Sequence, residues 1–175
     1  MMNSEWNLVE ALRHARHDWM NRLQLIKGNM DLGRMDRAKQ IIEEIVAESQ
    51  NESKLSNLKV PKFSEWMLTY NWQTHFIKLE FEVLEAEEPD VNDARLFGWF
   101  TGLFSVLENC VKPYEENNMM VTIKICQQEA RFELDFNGII VDKESLQDWL
   151  ERNSAGVAVE TMDSNGFLIS LNLNR

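Results

Sequence analysis

His14-Ala15-Arg16-His17-Asp18-Trp19-Met20-Asn21-Arg22-Leu23-Gln24-Leu25-Ile26-Lys27-Gly28-Asn29 is the stretch on which the architecture turns. The helical pattern around it runs from residue 5 to about 31. Val9, Leu12, Trp19, Leu23, Ile26 and Met30 recur at alternating steps of three and four, the spacing of a coiled-coil seam interrupted only by Arg16. Asp31-Leu32-Gly33-Arg34-Met35-Asp36 reads as a tight connection, with Gly33 stopping the helix and Asp36 a candidate N-cap. A second helix follows to about Ser53 with Ala38, Ile41, Ile42, Ile45 and Val46 as its apolar stripe. Two amphipathic helices on a short turn make an antiparallel hairpin. One hairpin buries only one side of each helix, so a second copy is expected to complete a dimeric four-helix bundle.

Beyond the hairpin the pattern changes at Pro61, which ends a preceding helix. We therefore expect a helical domain over residues 1–60 and an α/β domain over 61–175. Residues 63–76 look helical, and Lys78–Leu84 alternates Leu79, Phe81 and Val83 with charged neighbours, as a half-buried strand does. An apolar helix is expected from about Asp93 to Val111, strands at 119–126 and 130–136, and a short helix at 143–152. Strands near 157–162 and 167–173 close the chain around a Ser164-Asn165-Gly166 hairpin turn. The fold class is α+β, the second domain being a sheet layered against helices.

With 44% hydrophobic residues, the 175-residue chain has enough apolar content for a packed core. No run approaches the roughly 20 apolar residues that span a bilayer, and nothing near Met1 resembles a signal peptide, so a cytoplasmic protein without membrane association is expected. Cys110 and Cys126 are too few for a disulfide framework and lack zinc-site spacing. The net charge of −11 falls entirely in residues 61–175, which carry nine basic against twenty acidic side chains. That acidity argues against nucleic acid as a partner. Residues 1–40 are instead slightly basic, and Arg13, Arg16, Arg22 and Lys27 surround the histidines. The patch suits an acidic protein surface, or is ordinary solvation.

His17, Asn21, Gln24 and Gly28 are four, three and four apart, so they share one helix face, turned away from the seam. Neutral imidazole is nucleophilic near neutral pH, because histidine titrates at about 6.5, and the phosphorus–nitrogen bond it forms is labile. Asp18 either fixes the ring tautomer or pairs with Arg22 one turn on. Gly28 costs a helix about 1 kcal/mol against alanine; it either admits a close partner or loosens the helix before the turn. His14 and His17 with Asp18 also have helical metal-ligand spacing, but His75 is remote in sequence and no metal is expected.

His17-Asp18-x-x-Asn21-x-Leu23 matches the His-Asp-x-x-Asn-x-Leu phosphoacceptor motif of one class of two-component sensor kinases. The run Arg16 to Asn29 resembles the sporulation initiation phosphotransferases of endospore-forming bacteria. So does Glu52-Ser53-Lys54-Leu55-Ser56-Asn57-Leu58-Lys59 and, more loosely, Tyr70-Asn71-Trp72-Gln73-Thr74-His75. The likeness is specific from about residue 12 to 84 and weaker beyond. It implies that His17, not His14, carries the phosphoryl group, with Asp18 and Arg16 beside the transferring charge. It also implies a homodimer built on a four-helix bundle, and a C-terminal domain descended from a histidine-kinase ATPase domain that has lost ATP binding. Asn21, Gln24, Leu25 and Gly28 would then contact receiver-domain response regulators. One regulator would donate phosphoryl from an aspartate, and a second, controlling sporulation, would accept it. No cofactor of its own is implied, since receivers bring Mg²⁺ in their own acidic pocket.

The glycine pattern bears on ATP separately. A nucleotide lid needs glycine-rich boxes, and none of the seven glycines here forms a Gly-x-Gly. Asp135-Phe136-Asn137-Gly138 is at best a remnant of an adenine box, and Asn109 reads as a plain helix residue rather than a Mg²⁺ ligand. The expected function is a phosphorelay phosphotransferase. Its rivals are an ATP-dependent sensor histidine kinase and a non-catalytic dimeric scaffold.

Overall fold

The computed structural model describes residues 8–86, 91–126 and 129–174; the expected helix start at residues 5–7 lies outside them. The elements are α1 (Leu8–Asp31), α2 (Met35–Asn57), α3 (Pro61–Thr69), a 3-10 turn (Tyr70–Trp72), β1 (Lys78–Ala86), α4 (Asp93–Cys110), β2 (Asn118–Cys126), β3 (Glu129–Asn137), α5 (Lys143–Arg152), β4 (Val157–Met162) and β5 (Gly166–Asn174). This is the α+β class that the sequence indicates. The chain forms two compact units, one ending at Gln50 and the other starting at Asn51. Among the described residues no helix is long and apolar enough to cross a membrane.

In the second unit five strands form one sheet in the order β1-β2-β3-β5-β4. β1 and β2 pair in parallel, with α4 as the crossover that parallel neighbours need, and the remaining pairs are antiparallel. Strand alternation sends Met119, Val121, Ile123 and Ile125 of β2 and Ala130, Phe132, Leu134 and Phe136 of β3 into the core. There Phe63 of α3, Phe100 of α4 and Phe132 of β3 meet with ring centroids 4.8–5.7 Å apart. The alternate residues carry ion pairs such as Arg131–Glu133 at 2.6 Å.

Two expected helix boundaries need correction. Helix α2 runs to Asn57, not Ser53, because its last turns belong to the second unit's core: Leu55 is fully buried, and Asn51 Oδ1 and Lys54 Nζ bond the Val83 backbone at 3.2 and 2.9 Å. The helix expected over 63–76 starts at Pro61 and ends at Thr69. It begins there because Asp93 accepts hydrogen bonds from the Lys62 and Phe63 N–H groups, each at 3.0 Å. Past Thr69, Asn71 leaves the helix to pair with Leu79 of β1, accepting its N–H at 3.0 Å and donating to its C=O at 2.6 Å. Glu108 of α4 holds the rest of the segment, accepting from the Tyr70 hydroxyl at 2.8 Å and the Phe76 N–H at 3.1 Å.

Candidate functional site

The helix that carries the phosphoacceptor motif ends in a Schellman arrangement. The Arg34 N–H reaches the Asn29 C=O at 2.8 Å and the Gly33 N–H the Met30 C=O at 2.9 Å, with Gly33 at φ +71°. A residue with a Cβ resists that left-handed backbone, which is why glycine stands at the stop. Asp36 is not the N-cap of α2; the helix already starts at Met35 and Asp36 lies in its first turn, where a carboxylate still favours the helix dipole.

The side of α1 that meets α2 also differs from the expected seam. Ala11, His14, Ala15, Arg22, Ile26 and Asn29 are the half-buried residues, and Arg22 pairs with Glu48 of α2 at 2.6 Å. On α2, Ala38 and Ile41 are buried and Ile45 half-buried. The expected seam lies about a quarter turn away. Only its Ile26 is covered, while Val9, Leu12, Trp19, Leu23 and Met30 are 50–67% exposed, as are Ile42 and Val46 of α2 at nearly half. Small Ala11 and Ala15 sit at the intrahairpin contact, which leaves the bulky row facing out.

His17 stands on a third side of α1, with its side chain 71% exposed. Its Nδ1 lies 3.4 Å from Asp18 Oδ1 and 3.3 Å from Asn21 Nδ2. The two contacts ask for different tautomers. Asp18 accepts only from a protonated Nδ1, whereas Asn21 Nδ2 donates only to a bare one. With the proton on Nδ1 and held by Asp18, Nε2 keeps a lone pair and has no partner among the described residues. Asp18 therefore sits where it can fix the tautomer, and the alternative pairing with Arg22 is absent because Glu48 takes that guanidinium. Arg16 is exposed, one residue from His17, and pairs with no carboxylate among the described residues. Of the basic patch around the histidines, Lys27 is also neutralised, by Asp31 at 2.6 Å.

Asn21, Gln24, Leu25 and Gly28 are all exposed. From His17 to Gly28 the face extends about 16 Å along the helix at 1.5 Å per residue. A β-carbon added at Gly28 would meet nothing within 4 Å, so no packing among the described residues requires glycine there. Gln24, Leu25 and Gly28 line a shallow concavity of about 610 Å³ that continues through Asn29, Leu32, Arg34 and Arg37 at the turn. Those four were not singled out from the sequence. The basic excess of residues 1–40 was the available signal, and Arg34 is one of its members without an ion pair among the described residues.

The loop after β3, which the sequence offers as a remnant of an adenine box, has its amides paired by the protein itself. The N–H groups of Gly138, Ile139 and Ile140 bond Asn165 C=O, Asn117 Oδ1 and Ser164 C=O at 2.9–3.1 Å. A loop whose amides are already paired offers none to a phosphate. Asn109 is exposed and donates to the Ser105 C=O at 2.7 Å.

Residues 1–58 match the family model described as the sensor kinase SpoOB-type alpha-helical domain, and residues 59–173 that of sporulation initiation phospho-transferase B, C-terminal. The sporulation initiation phosphotransferase B of Bacillus subtilis (strain 168) is 40% identical over 144 residues, covering 81% of this chain and 75% of that protein. A histidine kinase from Burkholderia phymatum STM815 superposes with a TM-score of 0.48 at 11% identity, over 96% of this chain and 87% of that one. The Acinetobacter baumannii histidine kinase AdeS gives 0.44 at 6% identity, over 90% and 97%. Both scores are too low to assign an activity. The two matching family models and the 40% identity establish that the chain belongs to the sporulation initiation phosphotransferase B family.

Proposed function

We propose that His17 is the phosphoacceptor of a phosphorelay in the cytoplasm, loaded from the aspartyl phosphate of one response regulator and unloaded onto an aspartate of a second that controls sporulation. The observation that carries this reading is the exposed imidazole, with Asp18 and Asn21 gathered on Nδ1 and Nε2 open to a docking protein. The Nε2 lone pair attacks phosphorus, the new N–P bond forms, and the O–P bond to the donor aspartate breaks with its electrons leaving on the carboxylate. Asp18 keeps the Nδ1 proton and balances the positive charge that develops on the ring. Transfer onward is the same displacement reversed, with the second aspartate attacking. Arg16 stands within reach of the moving charge. The Mg²⁺ that neutralises phosphate oxygens comes with the receiver.

Asn21, Gln24, Leu25 and Gly28 form the docking face, which Gly28 keeps open. The uncovered row of Leu12, Trp19, Leu23 and Met30 supports a homodimer, because apolar side chains at that spacing gain from burial against a second hairpin. ATP is not the donor in this reading; the internally paired amides at 138–140 and the absence of any Gly-x-Gly support that. Incubation with radiolabelled ATP alone should leave the protein unlabelled, whereas a phosphorylated receiver should label it. Persistent label from ATP alone would sink the relay reading in favour of a kinase.

A further inference from the structure

We propose that the second unit carries a binding site for a small amphiphilic anion, in a cavity of about 400 Å³ between the start of α4, the end of α5 and β5. That volume falls within the range of small-molecule sites. Leu96, Leu171 and Leu173 give the cavity an apolar floor, and Leu96 and Leu171 are almost wholly buried. The indole of Trp99 forms one wall. It is fixed by a hydrogen bond from its Nε1 to the Asn153 C=O at 3.3 Å and by the Trp149 ring, 5.6 Å away. A second wall is the turn after α5, closed by the Val157 N–H on the Ser154 C=O at 2.9 Å and tied to β5 by the Asn172 N–H on the Gly156 C=O at 2.7 Å. The walls are thus in place before a ligand arrives.

Charge selects the ligand. In a region with twenty acidic side chains against nine basic ones, two arginines line this cavity. Arg95 has no ion-pair partner among the described residues. Among the described residues Arg152 pairs only with Asp148, an exposed contact at 3.5 Å that a bound anion can displace. Guanidinium pairs favour carboxylates, phosphates and sulfonates.

Gly98 adds an independent observation. It lies inside α4, where glycine weakens a helix, yet a β-carbon there would meet nothing within 4 Å. Gly102, one turn on, is explained by Trp149, which a β-carbon would approach to 2.9 Å. Nothing among the described residues explains Gly98, and it lines the cavity, so the space it leaves suits a ligand. No residue of the His17 face takes part, and the site stands whether or not His17 carries phosphate.

The test titrates the full-length protein with 8-anilinonaphthalene-1-sulfonate and, in parallel, with its neutral analogue N-phenyl-1-naphthylamine, reading dye fluorescence. The native protein should show a saturable one-to-one phase with the sulfonate. The double change Arg95→Gln and Arg152→Gln should weaken that phase about tenfold or more while leaving the neutral dye unaffected. Gly98→Leu should abolish it for both dyes. Both arginines are exposed, so the charge variant folds whether or not Gly98→Leu does. Absence of a saturable phase, or sulfonate binding unchanged by the arginine substitutions, overturns the proposal.

Discussion

Replacing Glu108 with alanine should destabilise the second unit by about 2–3 kcal/mol, a figure that follows from what the carboxylate holds. Glu108 accepts from the Tyr70 hydroxyl at 2.8 Å and the Phe76 N–H at 3.1 Å, and lies 3.4 Å from His75 Nδ1. Tyr70 is only 5% exposed, and His75 stacks on its ring at 4.0 Å. Without the carboxylate the hydroxyl is buried and partnerless, at about 1–3 kcal/mol, whereas water can reach the exposed Phe76 amide and that loss adds little. Tyr70→Phe should cost only about 1 kcal/mol, since half-open Glu108 can turn to water, and the double variant should cost at least about 1 kcal/mol less than the sum. Urea unfolding followed by tryptophan fluorescence gives these values. Alkaline pH supplies a second reading. Burial, and then the charge and hydrogen bond of Glu108, push the Tyr70 hydroxyl far above its ordinary value of 10.0. The stability this contributes is intact below pH 10. It is lost as pH rises further, because the unfolded tyrosine releases its proton and the folded one does not, at about 1.4 kcal/mol per pH unit. Tyr70→Phe should remove that component of the slope. Glu108→Ala within about 0.5 kcal/mol of native, or strictly additive single changes, would refute Glu108 as a structural clamp.

Leu23→Asp places a charge in the uncovered apolar row and should lower dimer affinity about a hundredfold or more, read by sedimentation at micromolar concentration; a native protein already monomeric there would contradict the bundle. Gly98→Ala should raise the unfolding midpoint through about 1 kcal/mol of helix propensity, while Gly102→Ala should lower it against the Trp149 ring; shifts of the same sign would undo the distinction drawn between them. Asp142 caps α5 through the Ser145 N–H at 3.0 Å and hydroxyl at 2.7 Å, contacts that hold its carboxyl below the ordinary 3.8. Its contribution is present at neutral pH and lost as pH falls through the lowered value, so the deficit of Asp142→Ala should fade in acid; a deficit unchanged at pH 2 would count against it.

Local pattern made most of the elements legible. Period-two alternation marked β1, and α5 and β4 fall on the expected residues, 143–152 and 157–162. Long-range partners decided the departures. Asn71 and Glu108 break the helical reading of 63–76 by bonding residues that sequence separation hides, and Asn51 and Lys54 extend α2 in the same way. On α1 the apolar row was legible, but not which row the hairpin itself would cover; the contact lies on Ala11 and Ala15, which carry little hydrophobic signal. The shared face of His17, Asn21, Gln24 and Gly28 followed from spacing alone, whereas choosing His17 over His14 came from the motif. Arg34 and Arg37 reach that concavity only through the turn geometry, which residue spacing on α1 does not encode.

The most direct test reconstitutes the relay with a labelled phospho-receiver, this protein and an unphosphorylated second regulator. Native protein and His14→Gln should pass label to the second regulator, and His17→Gln should fold, remain unlabelled and pass none. Transfer that survives in His17→Gln would contradict the account.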